Sequence, residues 1–121
     1  MRDFRQLRQL QVREKAHRLV LDVHGNTGDF PAEERFGLVA QLRRASVSVA
    51  SNIAEGAGRR TDRDFARYLS LAAGSAREAE YQLLLARDLG DLPLEAHARL
   101  DARANEIKKM LNSFIRTLRD R

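Results

Sequence analysis

Cysteine is absent from this sequence of 121 residues. Without thiols the chain can form neither a disulfide framework nor a thiolate site for zinc or an iron–sulfur cluster. Proline and glycine are scarce, at two and seven residues, and they gather at three places: residues 25–31, 56–58 and 90–93. Because these two residue types interrupt regular structure most strongly, the chain divides into four long segments.

Long hydrophobic runs are missing as well. The least charged stretch, residues 45–54, has ten residues of mostly small and polar type, whereas a membrane-spanning helix needs about 20 apolar residues. The first fifteen residues carry seven charged side chains, which leaves no apolar core for a secretory signal. We therefore expect a cytoplasmic protein that does not act at a membrane.

Each of the four segments carries apolar or small residues at alternating spacings of three and four, which is the period of a helix with one buried side. Helices are predicted over residues 7–24, over 31–55, from 61 to the glycine at 90, and after Pro93. Long helices joined by short turns fold back on one another. The sequence thus predicts an all-α, antiparallel up-down-up-down four-helix bundle, with residues 1–121 forming a single domain.

Buried positions follow from the same periodicity. The predicted buried residues, in chain order, are Val12, Ala16, Leu19, Val23, Val39, Leu42, Ser46, Val49, Ile53, Phe65, Leu69, Ala72, Ala76, Ala79, Leu83, Ala86, Leu100, Ala104, Ile107, Leu111, Phe114 and Leu118. These side chains face a common core if each helix turns the same stripe inward.

Three residues are predicted to set helix ends. Pro31 suits the first position of the second helix, since that position has no hydrogen bond for a backbone N–H to lose. Gly56 suits the left-handed position just beyond the end of the same helix. Thr61, three residues before Asp64, resembles an N-terminal capping box and predicts the start of the third helix.

No set of residues has the spacing of a catalytic or metal site. His17, His24 and His97 lie in predicted helices, away from any serine in a nucleophile elbow. Glu14 and His17 form one Glu-x-x-His motif, but a di-metal bundle needs a second such motif on another helix. We therefore predict no enzymatic activity and no cofactor.

The turn at residues 55–61 combines glycines, two arginines and the start of a helix, which together suit a phosphate group. It lacks the preceding strand and the Gly-Lys-Ser/Thr ending of a P-loop. A glycine that ends one helix, followed by a solvated turn, accounts for the same residues and is the preferred interpretation.

Small residues mark one side of the second helix at Ala45, Ser48 and Asn52, opposite an alanine-rich stretch of the third. Close packing of these helices within one chain explains the small residues. The third helix also carries a second apolar row, formed by Tyr68, Leu71, Leu85 and Leu89. We predict that all seven positions contact other subunits of a homo-oligomer, which would cover the row.

The most specific block of the sequence runs through the second helix. It comprises Phe30-Pro31, Glu34-Arg35-Phe36-Gly37-Leu38, Gln41-Leu42-Arg43-Arg44-Ala45, Ser48 and Ser51-Asn52-Ile53-Ala54-Glu55-Gly56. With Gly74-Ser75 and the run Lys108–Leu111, the chain resembles the four-helix-bundle proteins first noticed in intervening sequences of 23S ribosomal RNA genes. Arg13 and His24 depart from that pattern, since aromatic residues are usual there.

This resemblance implies a bacterial, cytoplasmic bundle without enzymatic activity, often assembled as a ring of five identical subunits. Related accessory proteins of diversity-generating retroelements use a basic barrel of this kind to hold a reverse transcriptase and nucleic acid. We therefore expect a homopentamer that binds RNA or DNA through its charge.

Positive charge supports this expectation, because the net charge is +5 and residues 1–26 and 91–121 hold surpluses of +3 and +2. The predicted nucleic-acid-binding residues are Arg5, Arg8, Arg13, Arg43, Arg44, Arg59, Arg60, Lys108, Lys109, Arg116 and Arg119. An alternative is a protein–protein adaptor whose basic residues only keep it soluble. That alternative gains from the scarcity of aromatic residues for stacking bases, since only Tyr68 and Tyr81 suit that role.

Overall fold

The computed structural model describes residues 4–120, and four α-helices account for most of them. They are α1 (Phe4–Thr27), α2 (Leu38–Ala57), α3 (Asp62–Asp88) and α4 (Leu94–Arg119). A short 3-10 helix, Ala32–Glu34, lies between α1 and α2. No helix within this part of the chain is long and apolar enough to cross a membrane.

The helices form an all-α four-helix bundle, as predicted. α1 packs against α2 and α4, and α3 packs against the same two helices. Short connections of four and five residues join α2 to α3 and α3 to α4, which requires neighbouring helices to run antiparallel. The extensive contacts of α3 with both α2 and α4 explain why so much of its surface is alanine, since small side chains let helix axes approach.

The predicted core is confirmed at every position named above, from Val12 to Leu118. At one end of the bundle, the core contains Phe65 and Phe114, whose rings pack edge to face with centroids 5.3 Å apart. This geometry is the favourable one for two aromatic quadrupoles. Apart from Phe30, the rest of the core is aliphatic and alanine-rich.

The start of the second helix was predicted wrongly. Pro31 precedes the 3-10 helix and does not open α2, which begins seven residues later at Leu38. Gly37, with φ −103° and ψ −105°, stands at the break between the two elements. The buried Phe30 anchors the connection to the core.

The role predicted for Gly56 was also wrong. Gly56 lies inside α2, which continues to Ala57, and the capping residue Gly58 has a φ of −86°, outside the left-handed region. A Cβ placed on Gly56 would come within 2.7 Å of the Tyr68 Cβ and 2.8 Å of the Phe65 Cδ1. Glycine is therefore needed here for the close approach of α2 and α3. Thr61 does cap α3, since its hydroxyl accepts a hydrogen bond of 3.0 Å from the Asp64 backbone N–H.

Candidate nucleic-acid interface

Alternating helix direction brings charged residues from distant parts of the sequence to the same end of the bundle. The start of α1, the α2–α3 turn with its flanking helix ends, and the end of α4 share one end, here called the basic end: residues 4–12, 49–70 and 111–120. These segments hold eight basic and four acidic residues. The opposite, acidic end comprises residues 19–46 and 80–102, with five basic and nine acidic residues. The two ends of the bundle therefore carry net charges of opposite sign.

A groove of about 1140 Å³ opens at the basic end. It lies between the α2–α3 turn with the first turns of α3 and the last turn of α4, because these elements meet where the bundle closes. Five arginines line it: Arg59, Arg60, Arg63, Arg67 and Arg119. Two carboxylates, Asp62 and Asp64, share the lining.

Both carboxylates are already engaged by arginines. Asp62 pairs with Arg5 at 3.4 Å, and Asp64 accepts a hydrogen bond of 3.0 Å from Arg67. Arg59 lies 3.9 Å from Asp64 and 2.6 Å from Glu55. The hydrogen bond to Asp64 raises the pKa of the Arg67 guanidinium above its ordinary value. Among residues 4–120, the acidic side chains therefore compensate Arg5, Arg59 and Arg67 but not the other arginines of the groove.

Three arginines of the groove, Arg60, Arg63 and Arg119, make no ion pair or side-chain hydrogen bond with residues 4–120. Arg60 and Arg63 are exposed on the turn and the first turn of α3, and Arg119 is exposed on the last turn of α4. Within the described part of the chain, nothing occupies the five N–H donors of each guanidinium group. A planar fork of this kind matches the oxygens of a phosphate group in a bidentate way.

Tyr68 lies beside the groove and does not offer a free ring. The guanidinium carbons of Arg59 and Arg67 stand 4.5 and 4.6 Å from its ring centroid, and Arg59 donates a 2.6 Å hydrogen bond to the Tyr68 hydroxyl. These contacts fix two arginines at the groove wall. Tyr81 is exposed, but it lies in the second half of α3, away from the groove.

A second, smaller groove of about 320 Å³ separates α1 from α4. Arg8 and Lys109 line its edges. Arg8 donates hydrogen bonds to Thr117 at 2.9 Å and Ser113 at 3.4 Å, so it holds α1 to α4. Lys109 is exposed and makes no ion pair with the described residues.

The remaining predicted basic residues are dispersed over the bundle. Lys108 pairs with Glu80 at 2.8 Å, and Arg43 donates a 3.0 Å hydrogen bond to Thr27. Arg44 belongs to the acidic end, whereas Arg13 lies on the exposed surface of α1 and Arg116 on that of α4. Of the eleven predicted positions, the large groove brings together only Arg59, Arg60 and Arg119.

Sequence reasoning missed Arg63 and Arg67, which contribute to the same groove. A signal for them was present. An up-down-up-down bundle places the first turns of α3 beside the last turn of α4, so every arginine of residues 59–67 belongs with Arg119.

The positions predicted to contact other subunits divide into two groups. Ala45 is only 2% exposed, and Ser48 bonds to Ser75 of α3 at 2.8 Å, while Asn52 donates to Ser48 at 3.1 Å. These three residues serve the α2–α3 contact within the chain. In the apolar row, Tyr68 and Leu85 are half-buried, whereas Leu71 on α3 and Leu89, directly after the end of α3, are exposed.

The fold and the charge distribution define a four-helix bundle with an arginine-lined groove at one end. A family model described as 23S rRNA-intervening sequence protein matches residues 8–113, so the chain belongs to that family. A solved structure of a protein of unknown function from Bacteroides thetaiotaomicron, assigned to the S23 ribosomal protein family, is similar at a TM-score of 0.83. Its sequence identity is 24%, and the match covers 90% of this chain and 98% of that chain. No curated protein sequence matches the chain.

Proposed function

We propose that this protein is a non-enzymatic, homo-oligomeric scaffold of the cytoplasm that binds RNA or DNA through phosphate contacts at its basic end. The observation that supports the proposal best is the set of three arginines on one groove, Arg60, Arg63 and Arg119, that pair with no residue in the described range 4–120. Their position at the mouth of a groove allows one strand to meet all three guanidinium groups.

Binding of this kind reads the backbone and not the bases. No free aromatic ring lines the groove, since Tyr68 is covered by Arg59 and Arg67. Each arginine that neutralises a phosphate releases condensed counterions, so the affinity falls steeply as the salt concentration rises. The acidic end repels the same polyanion, which orients the bundle on a nucleic acid.

Assembly would multiply this weak field. Five copies of a chain with net charge +5 carry +25, and a ring would place five arginine grooves at the same edge. The family resemblance suggests the number five. The exposed Leu71 and Leu89 support a subunit contact on α3. Leu71→Glu should then lower the mass measured by light scattering without loss of helix content, and an unchanged mass would remove this residue from the contact.

The test of the binding site compares two triple variants. Arg60→Gln, Arg63→Gln and Arg119→Gln together remove the unpaired arginines of the groove. Arg35→Gln, Arg44→Gln and Arg77→Gln remove the same charge from exposed positions elsewhere. The groove variant should bind a structured RNA more than tenfold more weakly, since each lost charged hydrogen bond costs about 1.5–3 kcal/mol.

Gel shifts at increasing salt concentration distinguish phosphate contacts in the groove from attraction by the overall charge of the protein. The slope of log affinity against log salt should fall by roughly 2 to 3 for the groove variant, in line with three lost phosphate contacts. The control should keep most of the wild-type slope. An equal loss of RNA affinity in the two variants would mean that the net charge of the bundle, and not the groove, attracts the RNA. Wild-type protein that gives no gel shift at either low or physiological salt would refute the proposal.

A protein–protein adaptor is the second candidate. Tyr81 and Leu84 on α3, and Leu89 directly after its end, are exposed and could receive an apolar partner. Co-purification from lysate with and without nuclease discriminates between the two functions. A partner that stays bound after nuclease treatment supports the adaptor, and a partner that is lost supports binding through nucleic acid.

A further inference from the structure

The outer face of α1 carries a second regular pattern that the bundle does not use. Six residues recur at alternating spacings of three and four: Leu7, Leu10, Glu14, His17, Leu21 and His24. All six are exposed, and the three leucines are 47%, 44% and 58% exposed. The pattern faces away from the buried stripe of α1, which runs from Val12 to Val23.

Alternation of three and four over eighteen residues is the a/d repeat of a coiled coil. Scattered surface leucines are ordinary, so their exposure alone indicates nothing. The order of the six residues carries more information. Residues 7, 14 and 21 occupy position a of the repeat, and residues 10, 17 and 24 occupy position d. When a second copy runs antiparallel, each a residue faces a d residue of the other copy, in the pairs 7 with 24, 10 with 21 and 14 with 17.

In that antiparallel register, Leu10 faces Leu21 of the second copy. Glu14 faces His17 of the second copy, and the two-fold axis repeats both layers. The outermost layers place Leu7 against His24. Leucine therefore meets leucine in the two layers that join positions 10 and 21, and in the two central layers a carboxylate meets an imidazole that can donate a hydrogen bond to it.

A parallel pair lacks this match. It would keep leucine against leucine, but it would set Glu14 against Glu14, and like charges in one layer disfavour association. Within the chain, Arg18 donates a 3.2 Å hydrogen bond to the Glu14 Oε1, which leaves the second carboxylate oxygen for the imidazole. The sequence of the stripe thus favours one direction of pairing.

We propose that the outer face of α1 is a homotypic docking surface on which a second copy of this chain binds antiparallel about a two-fold axis. The stripe from Leu7 to Leu21 and His24 is about 26 Å long at 1.5 Å per residue. Contacts of one helix pair on this scale suit a weak, reversible association. This surface is separate from the proposed nucleic-acid site and shares no residue with the apolar row of α3. It can therefore join two oligomers whose subunits contact one another through α3.

Disulfide trapping tests the contact, because the chain has no cysteine of its own. Leu10→Cys and Leu21→Cys are made as separate single variants, and both side chains are exposed, so folding should persist. In the antiparallel register position 10 meets position 21, whereas the two copies of position 10 lie about 16 Å apart along the axis. A disulfide needs Cα atoms within about 7 Å.

The expected result is that a mixture of the two variants forms disulfide-linked dimers at least tenfold faster than either variant alone. Ala54→Cys, at an exposed position of α2, measures the rate of random collisions. Circular dichroism confirms that each variant keeps its helix content. Fast cross-linking of Leu10→Cys with itself would overturn the antiparallel register, and rates equal to the Ala54→Cys background would overturn the docking surface.

A charge-pair experiment gives an independent readout. Leu10→Glu with Leu21→Lys places opposite charges in each antiparallel layer, whereas Leu10→Glu with Leu21→Glu places like charges there. The first double variant should sediment with a larger mass than the second. Equal masses would contradict the proposal. Nucleic-acid binding can fail while both results hold, since neither position lies in the arginine groove.

Discussion

The two ends of the bundle differ in charge and in how the chain closes them. At the basic end, a single turn of four residues joins α2 to α3, and Gly56 allows the two helices to touch. At the acidic end, two connections lie side by side, and Gly90 closes the shorter one with a φ of 82°. Gly56 is needed because a Cβ would not fit between the helices, whereas Gly90 is needed because its φ is positive. The charge of each end therefore comes from the residues in and around its turns.

The largest effect that separates the ends is expected at Gly56. Gly56→Ala forces a Cβ against Tyr68 and Phe65, and overpacking outweighs the helix propensity gained, for a net loss of about 1–2 kcal/mol in the free energy of unfolding. Gly58→Ala is the matched control, because its Cβ would meet only the Glu55 carbonyl oxygen at 3.7 Å. Urea unfolding measures both. Equal stability of the two variants would contradict the role of close approach.

A smaller effect is expected at the acidic end. Gly90→Ala puts a side chain in the left-handed region, which costs about 1 kcal/mol, or roughly 3–5 °C in Tm for a domain of this size. Gly25→Ala, in α1 with open space around it, should be neutral or stabilising. Calorimetry checks both, and Gly90→Ala should leave RNA affinity unchanged, whereas Gly56→Ala should lower it.

The smallest effect concerns pH. The interaction of the Glu34 carboxyl with that of Asp91, across the two connections, raises the pKa of Glu34 above its ordinary value of 4.5, and desolvation and the charge of Glu33 act in the same direction. A raised pKa means that the folded state holds the proton more tightly than the unfolded state. The stabilisation is therefore complete below 4.5 and is lost as the pH rises through the folded pKa.

Glu34→Gln keeps a hydrogen-bond donor, the side-chain amide, next to Asp91 and removes the titrating carboxyl group at position 34. The difference in the free energy of unfolding between wild type and this variant should change with pH in the window just above 4.5. A difference that stays flat from acid to neutral pH would show that the two carboxyl groups do not share a proton.

Much of this architecture was accessible from the sequence. Helical periodicity placed every named core residue correctly, since burial of one stripe per helix leaves little freedom. The start of α2 was not accessible, because Pro31 fits a 3-10 helix as well as an α-helix and the break depends on Gly37. The role of Gly56 was predicted wrongly because the sequence alone does not distinguish a glycine that ends a helix from one that allows two helices to pack closely.

The candidate site was only partly accessible. Arg59, Arg60 and Arg119 were identified as basic residues, but their grouping depends on which helix ends meet in space. The compensation of Arg59 and Lys108 by Glu55 and Glu80 depends on side-chain geometry and could not be foreseen from charge counts.

Localisation of bound RNA tests the central claim most directly. Nuclear magnetic resonance of the labelled wild-type protein, titrated with a short single-stranded RNA, follows backbone amides and arginine side chains together. If RNA binds at the basic end, chemical-shift changes are expected at residues 58–67 and 116–119, while residues 28–37 and 88–95 stay unchanged. Shifts centred on the acidic end, or spread evenly over all four helices, would contradict it.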